Sequence, residues 1–258
     1  MTPFLAEDVL PWSGRAGDAL RSARDGVPWP SGYEQVGESG QVVATDVDVT
    51  YLSRLDIPNL EVRRHNILDD SLDVLGPGSF DLVCSRLTLF WLANRQEVAI
   101  RMVKCLRPGG WLVDEDGDWG TITAVNSSHP HHASYQGAYR DGEWWTSRGY
   151  DPRFGRKLPV LFERCGLENF GHEATAQVVC GGGPWARWWQ QSVEAIRAWE
   201  QSDNGLTDAL EEEYKAMIAP WGDSTPGHEP TSQLCRLSRV CRVVMTGRNL
   251  LSSRTLPR

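Results

Sequence analysis

Lysine is almost missing from this chain. Only Lys104, Lys157 and Lys215 occur among 258 residues, against 23 arginines. No apolar stretch approaches the roughly 20 residues of a membrane span, so no membrane partner is expected. The first ten residues have neither a basic lead nor an apolar core and do not read as a secretory signal. The six cysteines (84, 105, 165, 180, 235 and 241) form no CxxC pair. A zinc ribbon and a disulfide framework are therefore not expected, and the thiols read as reduced and cytoplasmic. An excess of positive charge is missing too. The formal charge of −8 argues against nucleic acid or an anionic membrane held by bulk electrostatics. No GxSxG, Walker loop, HExxH or Cys/His dyad occurs.

What is present suits a soluble globular protein, at 40% hydrophobic and 23% charged residues. The length fits one elaborated domain, with neither repeats nor a long linker. Twelve tryptophans are many for this size, and the arginine, glycine and alanine usage suggests a GC-rich gene. Four short apolar runs punctuated by Gly and Pro read as buried parallel strands: 41–46, 60–64, 79–84 and 110–115. Between the last two, Val98, Met102, Val103 and Leu106 recur at helical spacing over 94–106. Asn94 is placed to cap that helix, and Arg107-Pro-Gly-Gly110 to stop it. Strand, helix and strand with short links indicate an α/β architecture with right-handed crossovers.

Further on, helices are expected over 133–148, over 156–165 closed by Gly166, and over 207–218 with Thr207 as N-cap. Residues 173–180 alternate like an antiparallel edge strand. Pro184 opens a helix whose Trp185, Trp188, Trp189, Val193, Ile196 and Trp199 form one apolar stripe. Residues 1–39 show no convincing strand, and 221–258 carry a net charge of +4 with little periodicity.

Several polar residues stand where open α/β sheets bind ligands, beyond the carboxyl ends of strands. Asp46 can accept both hydroxyls of a ribose or cap a helix over 49–55. Asn66 can bond an adenine edge while Ile67 packs on its face, or it can simply form a turn. Arg86 can reach a carboxylate or lie on the surface. The run Asp114-Glu-Asp-Gly-Asp118 sets four acids at one rim, suited to proton transfer or to a solvated loop. His129, His131 and His132 lack the spacing of a metal site, and no metal is expected. Trp144, Trp145, Trp185 and Trp188 suit an aromatic pocket or core packing equally.

Taken in order, these pieces resemble the class I S-adenosylmethionine-dependent methyltransferases, in particular the small-molecule enzymes of high-GC bacteria. The resemblance rests on Val36-Gly-Glu-Ser-Gly-Gln-Val-Val-Ala-Thr-Asp46-Val-Asp48, Leu60-Glu-Val-Arg-Arg-His-Asn66-Ile-Leu68, Phe80-Asp-Leu-Val-Cys-Ser-Arg86-Leu and Leu106-Arg-Pro-Gly-Gly-Trp-Leu112. It extends through Asp151-Pro-Arg-Phe-Gly-Arg-Lys-Leu-Pro159 and spans about residues 33–218, leaving 1–32 and 221–258 atypical. It implies a Rossmann-like methyltransferase fold: a mostly parallel sheet with an antiparallel edge strand and helices on both faces. It also implies S-adenosylmethionine as cofactor and a small-molecule acceptor. By position, Asp46 holds the ribose, Asn66 and Ile67 the adenine, and Ser85 and Arg86 the methionine end. Glu115, Asp116 and Asp118 are then the candidate bases. The family commonly has Asp where Asn66 stands, and Asn keeps a carbonyl acceptor.

The departure lies upstream. The family's (D/E)xGxGxG loop should place an acid at position 20 and glycines at 22, 24 and 26. The chain has Leu20, Ser22, Arg24 and Gly26, so only Gly26 survives. GC-rich codons chosen for residues 19–30 and read from the third base spell Ala-Glu-Val-Gly-Ala-Gly-Arg-Gly-Ser-Val-Ala. Residues up to about 32 are therefore expected to lie in a shifted reading frame, and the basic tail is suspected of the same origin. The expected function is methyl transfer by in-line displacement. A degenerate, non-catalytic relative is the competing reading, and a nicotinamide-dependent oxidoreductase is a third.

Overall fold

The computed structural model describes residues 19–23, 40–50, 52–68, 75–121, 149–179, 207–222 and 236–247, with scattered helical positions between 133 and 201. Seven strands form one sheet in the order β3-β2-β1-β4-β5-β7-β6. They are β1 (Ala19–Ala23), β2 (Val42–Asp46), β3 (Leu60–Arg64), β4 (Phe80–Arg86), β5 (Leu106–Asp118), β6 (Leu167–Val179) and β7 (Arg236–Gly247). The four pairings across β3-β2-β1-β4-β5 are parallel. Strand order reverses at β1, which has β2 on one side and β4 on the other.

β2 is buried at all five positions, which accounts for its unbroken apolar text. Leu52 and Ala44 anchor a small cluster with Leu55, Leu60 and Val62. Helix α1 (Arg95–Cys105) buries Val98, Ala99, Met102 and Cys105, one stripe at three- and four-residue spacing. Helix α2 (Leu158–Arg164) buries Leu158 and Phe162 one turn apart and ends at Gly166, whose φ of +83° closes the helix. Helix α3 (Asp208–Gly222) starts as expected, with the Leu210 amide donating to Thr207 Oγ1 at 3.2 Å. The Asn94 side chain makes no capping hydrogen bond, although Asn94 is the N-cap residue of α1.

The chain divides into two compact units. One contains Asp116 and everything before it, Lys157–Glu173 and the chain from Arg242 onward; it holds α1 and α2. The other comprises Gly117–Arg156 and Ala174–Cys241. Within the second, the Trp119 amide donates to the Pro152 carbonyl at 2.6 Å, and Arg197 grips Glu211 with two hydrogen bonds of 2.6 and 2.7 Å. No helix among the described residues is long and apolar enough to cross a membrane. Cys84, Cys105 and Cys165 are free thiols, and burial pushes the Cys165 thiol up to about 11.

Three expectations need correction. Residues 19–23 form β1 at the centre of the sheet. Ala-Leu-Arg-Ser-Ala has no β-branched residue and no alternation, so only pairing on both flanks reveals it. The basic tail supplies β7, whose Val240, Val243 and Val244 favour a strand although interspersed arginines obscure the period. No helix spans 49–55; a 3-10 turn at Leu52–Arg54 stands there instead. The alternating segment expected over 173–180 is the later part of β6, at the sheet edge as expected.

β5 also begins earlier than its apolar text suggests. Phe80 pairs with Leu106 and Leu82 with Trp111, so Arg107–Gly110 bulges from the ladder. Gly109 takes a φ of +79°, and a Cβ on Gly110 would sit 3.0 Å from the carbonyl oxygens of Arg107 and Phe80. One oxygen belongs to the bulge of β5 and the other to β4, and neither backbone can retreat without disturbing the ladder between them. Gly110→Ala is expected to lower stability by about 1–3 kcal/mol in urea denaturation. Gly137→Ala, where a Cβ meets nothing within 4 Å, should leave it unchanged or slightly raised.

Candidate functional site

Parallel register brings the carboxyl ends of five strands to one level. Arg64 stands opposite Asp46, Ala23 opposite Arg86, and Arg86 opposite Glu115. One residue earlier, Arg63, Thr45, Ser22, Ser85 and Asp114 make a continuous row across β3, β2, β1, β4 and β5. Because strand order reverses at β1, the crevice of an open α/β sheet falls here. The sequence-predicted residues Asp46, Ser85, Arg86 and Glu115 therefore converge on one rim.

Asp46 is 9% exposed. Its Oδ1 accepts the Asp48 amide at 3.1 Å, and its backbone carbonyl accepts the His65 amide at 2.9 Å. The carboxylate thus closes a local turn rather than capping a helix. Asn66 follows the end of β3, where its Oδ1 accepts the Leu68 amide at 3.1 Å, the turn geometry of an Asx residue. The carbonyls of Ile67 and Leu68 are held by Arg101 of α1 at 2.9 and 3.2 Å. Gly26, the three histidines, Trp144, Trp145, Trp185 and Trp188 lie outside the described residues.

The acidic run is strand rather than solvated loop. Asp114 and Asp116 are inaccessible, Asp118 is 3% exposed and Glu115 8%. Alternation along β5 divides them by face. Glu115 meets Arg86 at 3.6 Å, and its backbone carbonyl accepts the Leu87 amide at 2.7 Å. Asp118 is gripped by Arg156 through hydrogen bonds of 2.7 and 2.9 Å. Asp116 accepts the Phe90 amide at 3.2 Å. Asp114 accepts the Ser85 hydroxyl in a short hydrogen bond. Among the described residues no three His, Cys, Asp or Glu side chains converge as metal ligands.

Asp114 was not singled out in the sequence, although strand periodicity places it two residues from Asp116 on the same face. Burial pushes its carboxyl up to about 7; the Ser85 hydroxyl opposes the shift and Glu115 adds to it. Asp116 is raised well above the carboxylate range by burial first and by Asp114 second, against the Phe90 and Leu89 amides and Arg95. A buried carboxyl is cheaper to hold neutral than charged, so at least one of the pair keeps its proton near neutrality.

Residues 31–114 match the family model described as a methyltransferase domain. Methyltransferase str3 of Strobilurus tenacellus is 29% identical over 125 residues, covering 46% of this chain and 43% of that protein. The matched region thus spans less than half the length of this curated relative. Among solved structures, a putative methyltransferase from Bacillus halodurans superposes with a TM-score of 0.53 at 12% identity, covering 94% of this chain and 97% of that one. The YcgJ protein from Bacillus subtilis gives a TM-score of 0.54 at 7% identity, covering 92% and 95%. At such identities the likeness speaks for the fold.

The raised Asp114 carboxyl sets a pH dependence. Unfolded, it ionises near the ordinary value of about 3.9; folded, near 7. Between these values the folded protein keeps a proton that the unfolded chain has lost, so stability falls as pH rises through this window and levels off above it. Asp114→Asn removes that titration. Urea denaturation is expected to show wild-type stability falling by about 2–3 kcal/mol more than the variant's between pH 5 and 8. Parallel profiles would contradict this.

Proposed function

We propose that this chain, a class I S-adenosylmethionine-dependent methyltransferase by its matched domain and its fold, transfers the cofactor's methyl group to a small-molecule acceptor at the carboxyl rim of the sheet. One observation supports the reading above the others. Asp46 and Arg86 stand level on either side of the β1 end, where strand order reverses. A buried carboxylate ending β2 suits the two hydroxyls of a ribose, so the donor set fits the cofactor there.

The roles follow from position. Asp46 accepts the ribose hydroxyls. Asn66 and Ile67 face the adenine, with Asn66 already preset by its turn. Ser85 and Arg86 stand toward the methionine end. When bound, the cofactor supplies a methyl on positively charged sulfur, open to in-line displacement. The chain's own contribution is alignment of the acceptor and exclusion of water. Each of the three candidate bases has a partner, Glu115 the Arg86 guanidinium, Asp116 the Phe90 amide and Asp118 Arg156; Glu115, level with Arg86 at the rim, is the one we assign to any proton the acceptor gives up.

β1 occupies the positions at which the family's acid and first glycine are expected, yet carries Leu20 and Ser22. The frame reading of residues 19–30 therefore becomes testable on the protein itself. Calorimetry of the full chain with S-adenosylmethionine is expected to show micromolar binding that Asp46→Ala weakens at least about tenfold, as for a lost hydrogen bond to a charged group. Replacing Leu20→Glu, Ser22→Gly and Arg24→Gly together should tighten binding by about tenfold or more, since glycines let the backbone approach the ligand. Absence of binding by both the chain and this triple variant would overturn the proposal. Binding by the triple variant alone would mark the chain as a degenerate relative.

A further inference from the structure

Asp114 and Asp116 project from the same face of β5 and are both fully buried. Each has one oxygen engaged and one without a donor: Asp114 Oδ2 and Asp116 Oδ1. Two fully buried, incompletely satisfied carboxyls on one strand face cannot both carry charge without a large desolvation cost.

The engaged oxygen of Asp116 holds the Phe90 amide, which belongs to the turn leaving β4. Leu87 in that turn has a φ of +50°, in the left-handed region that costs an ordinary L-residue about 1–2 kcal/mol. Neighbouring contacts keep it there. The Leu87 amide donates to the Glu115 carbonyl at 2.7 Å, Thr88 Oγ1 to the Arg86 carbonyl at 3.0 Å, and Arg95 Nε to the Leu89 carbonyl at 3.3 Å. Leu89 and Phe90 are buried at 0% and 2% exposure. A strained turn at the rim is thus fastened to a pair of acids that lacks enough donors for two charges.

We propose that Asp114 and Asp116 share one proton and form a pH-dependent clamp on residues 86–92. While the proton is held, Asp116 retains the Phe90 amide and the turn stays closed. When the proton leaves to solvent, the turn opens to hydrate the second charge and Leu87 relaxes. Opening displaces Arg86 from the rim, so ligand affinity there falls as pH rises; only this consequence rests on the function proposed above.

The groups facing the pair come from several elements. β4 supplies the Ser85 hydroxyl and, through its pair with Glu115, Arg86. The turn supplies the Leu89 and Phe90 amides, and α1 supplies Arg95. β5 itself adds Glu115. Removing a single carboxyl leaves all of these in place, so it isolates the shared proton.

Hydrogen–deuterium exchange on the full chain without cofactor, corrected for the intrinsic pH dependence of exchange, tests the clamp separately from methyl transfer. Protection of residues 86–92 is expected to fall at least about tenfold between pH 6 and 9, while β3 residues 60–64 lose much less. Asp114→Asn and Asp116→Asn should each make protection independent of pH, the second because its amide oxygen still accepts from Phe90. Asp116→Ala should lower it at every pH. Ser85→Ala offers an independent variant: without the hydroxyl, Asp114 holds its proton more firmly and the opening midpoint moves to higher pH. The proposal is overturned by constant protection in the unmodified chain, by equal losses in β3, by persistent pH dependence in Asp114→Asn, or by an unmoved midpoint in Ser85→Ala.

Discussion

Backbone pairing on both sides of β1 is the constraint from which the rest of the rim follows. Ala19–Ala23 contributes no β-branched side chain, yet it joins β2 to β4 through two parallel ladders. Those ladders fix which residues of β2 and β4 end at the same level. A shift of one residue in either would turn Asp46 or Arg86 to the opposite face, because side chains alternate along a strand. The placement of the candidate ligand groups is therefore a property of register, and no contact between Asp46 and Arg86 is needed to produce it.

β5 extends that logic past the rim. It begins at Leu106, gives up its ladder around Gly109 and Gly110, and regains register at Trp111. This bulge determines which acids reach the level of Ser85 and Arg86. Asp114 and Glu115 arrive there, one on each face, while Asp116 and Asp118 overshoot the end of β4. The overshoot explains their partners. Beyond the last β4 residue a carboxylate finds the amides of the turn after β4 in the case of Asp116, and Arg156 in the case of Asp118.

The legible part of the fold was the part in which sequence period and burial agree. β3 was read to the residue, α1 to within one residue, and β2 and β4 nearly so, because each packs a recognisable apolar set, partly buried in β3 and buried in the others. Asp46, Ser85, Arg86 and Glu115 were legible as rim residues for the same reason: they end those strands. β1 was illegible because its sequence does not favour a strand, and β7 because arginines break its alternation. Burial of the acidic run was illegible too. Four acids within five residues ordinarily mean solvent, and their burial depends on partners distant in sequence: Ser85, Phe90, Arg86 and Arg156.

Those partners give the arginine bias a physical sense. Asp81 pairs with Arg107, Glu115 with Arg86, Asp118 with Arg156 and Glu211 with Arg197, and in each the carboxylate is the more buried member. A guanidinium presents a planar fork that satisfies both carboxylate oxygens while its own far side stays hydrated, which an ammonium cannot do. Arg156 and Arg197 use the fork in this way, each with two hydrogen bonds to one carboxylate. Lysine is confined to positions where no such geometry is required, as with exposed Lys215 beside Glu212. Among the four acids of β5, Asp114 and Asp116 are the two with no arginine ion pair; Arg95 acts on Asp116 only through its charge. They are also the two whose carboxyls burial pushes toward the protonated form, so the arginines of this strand's neighbourhood stand apart from the pair that burial favours as neutral.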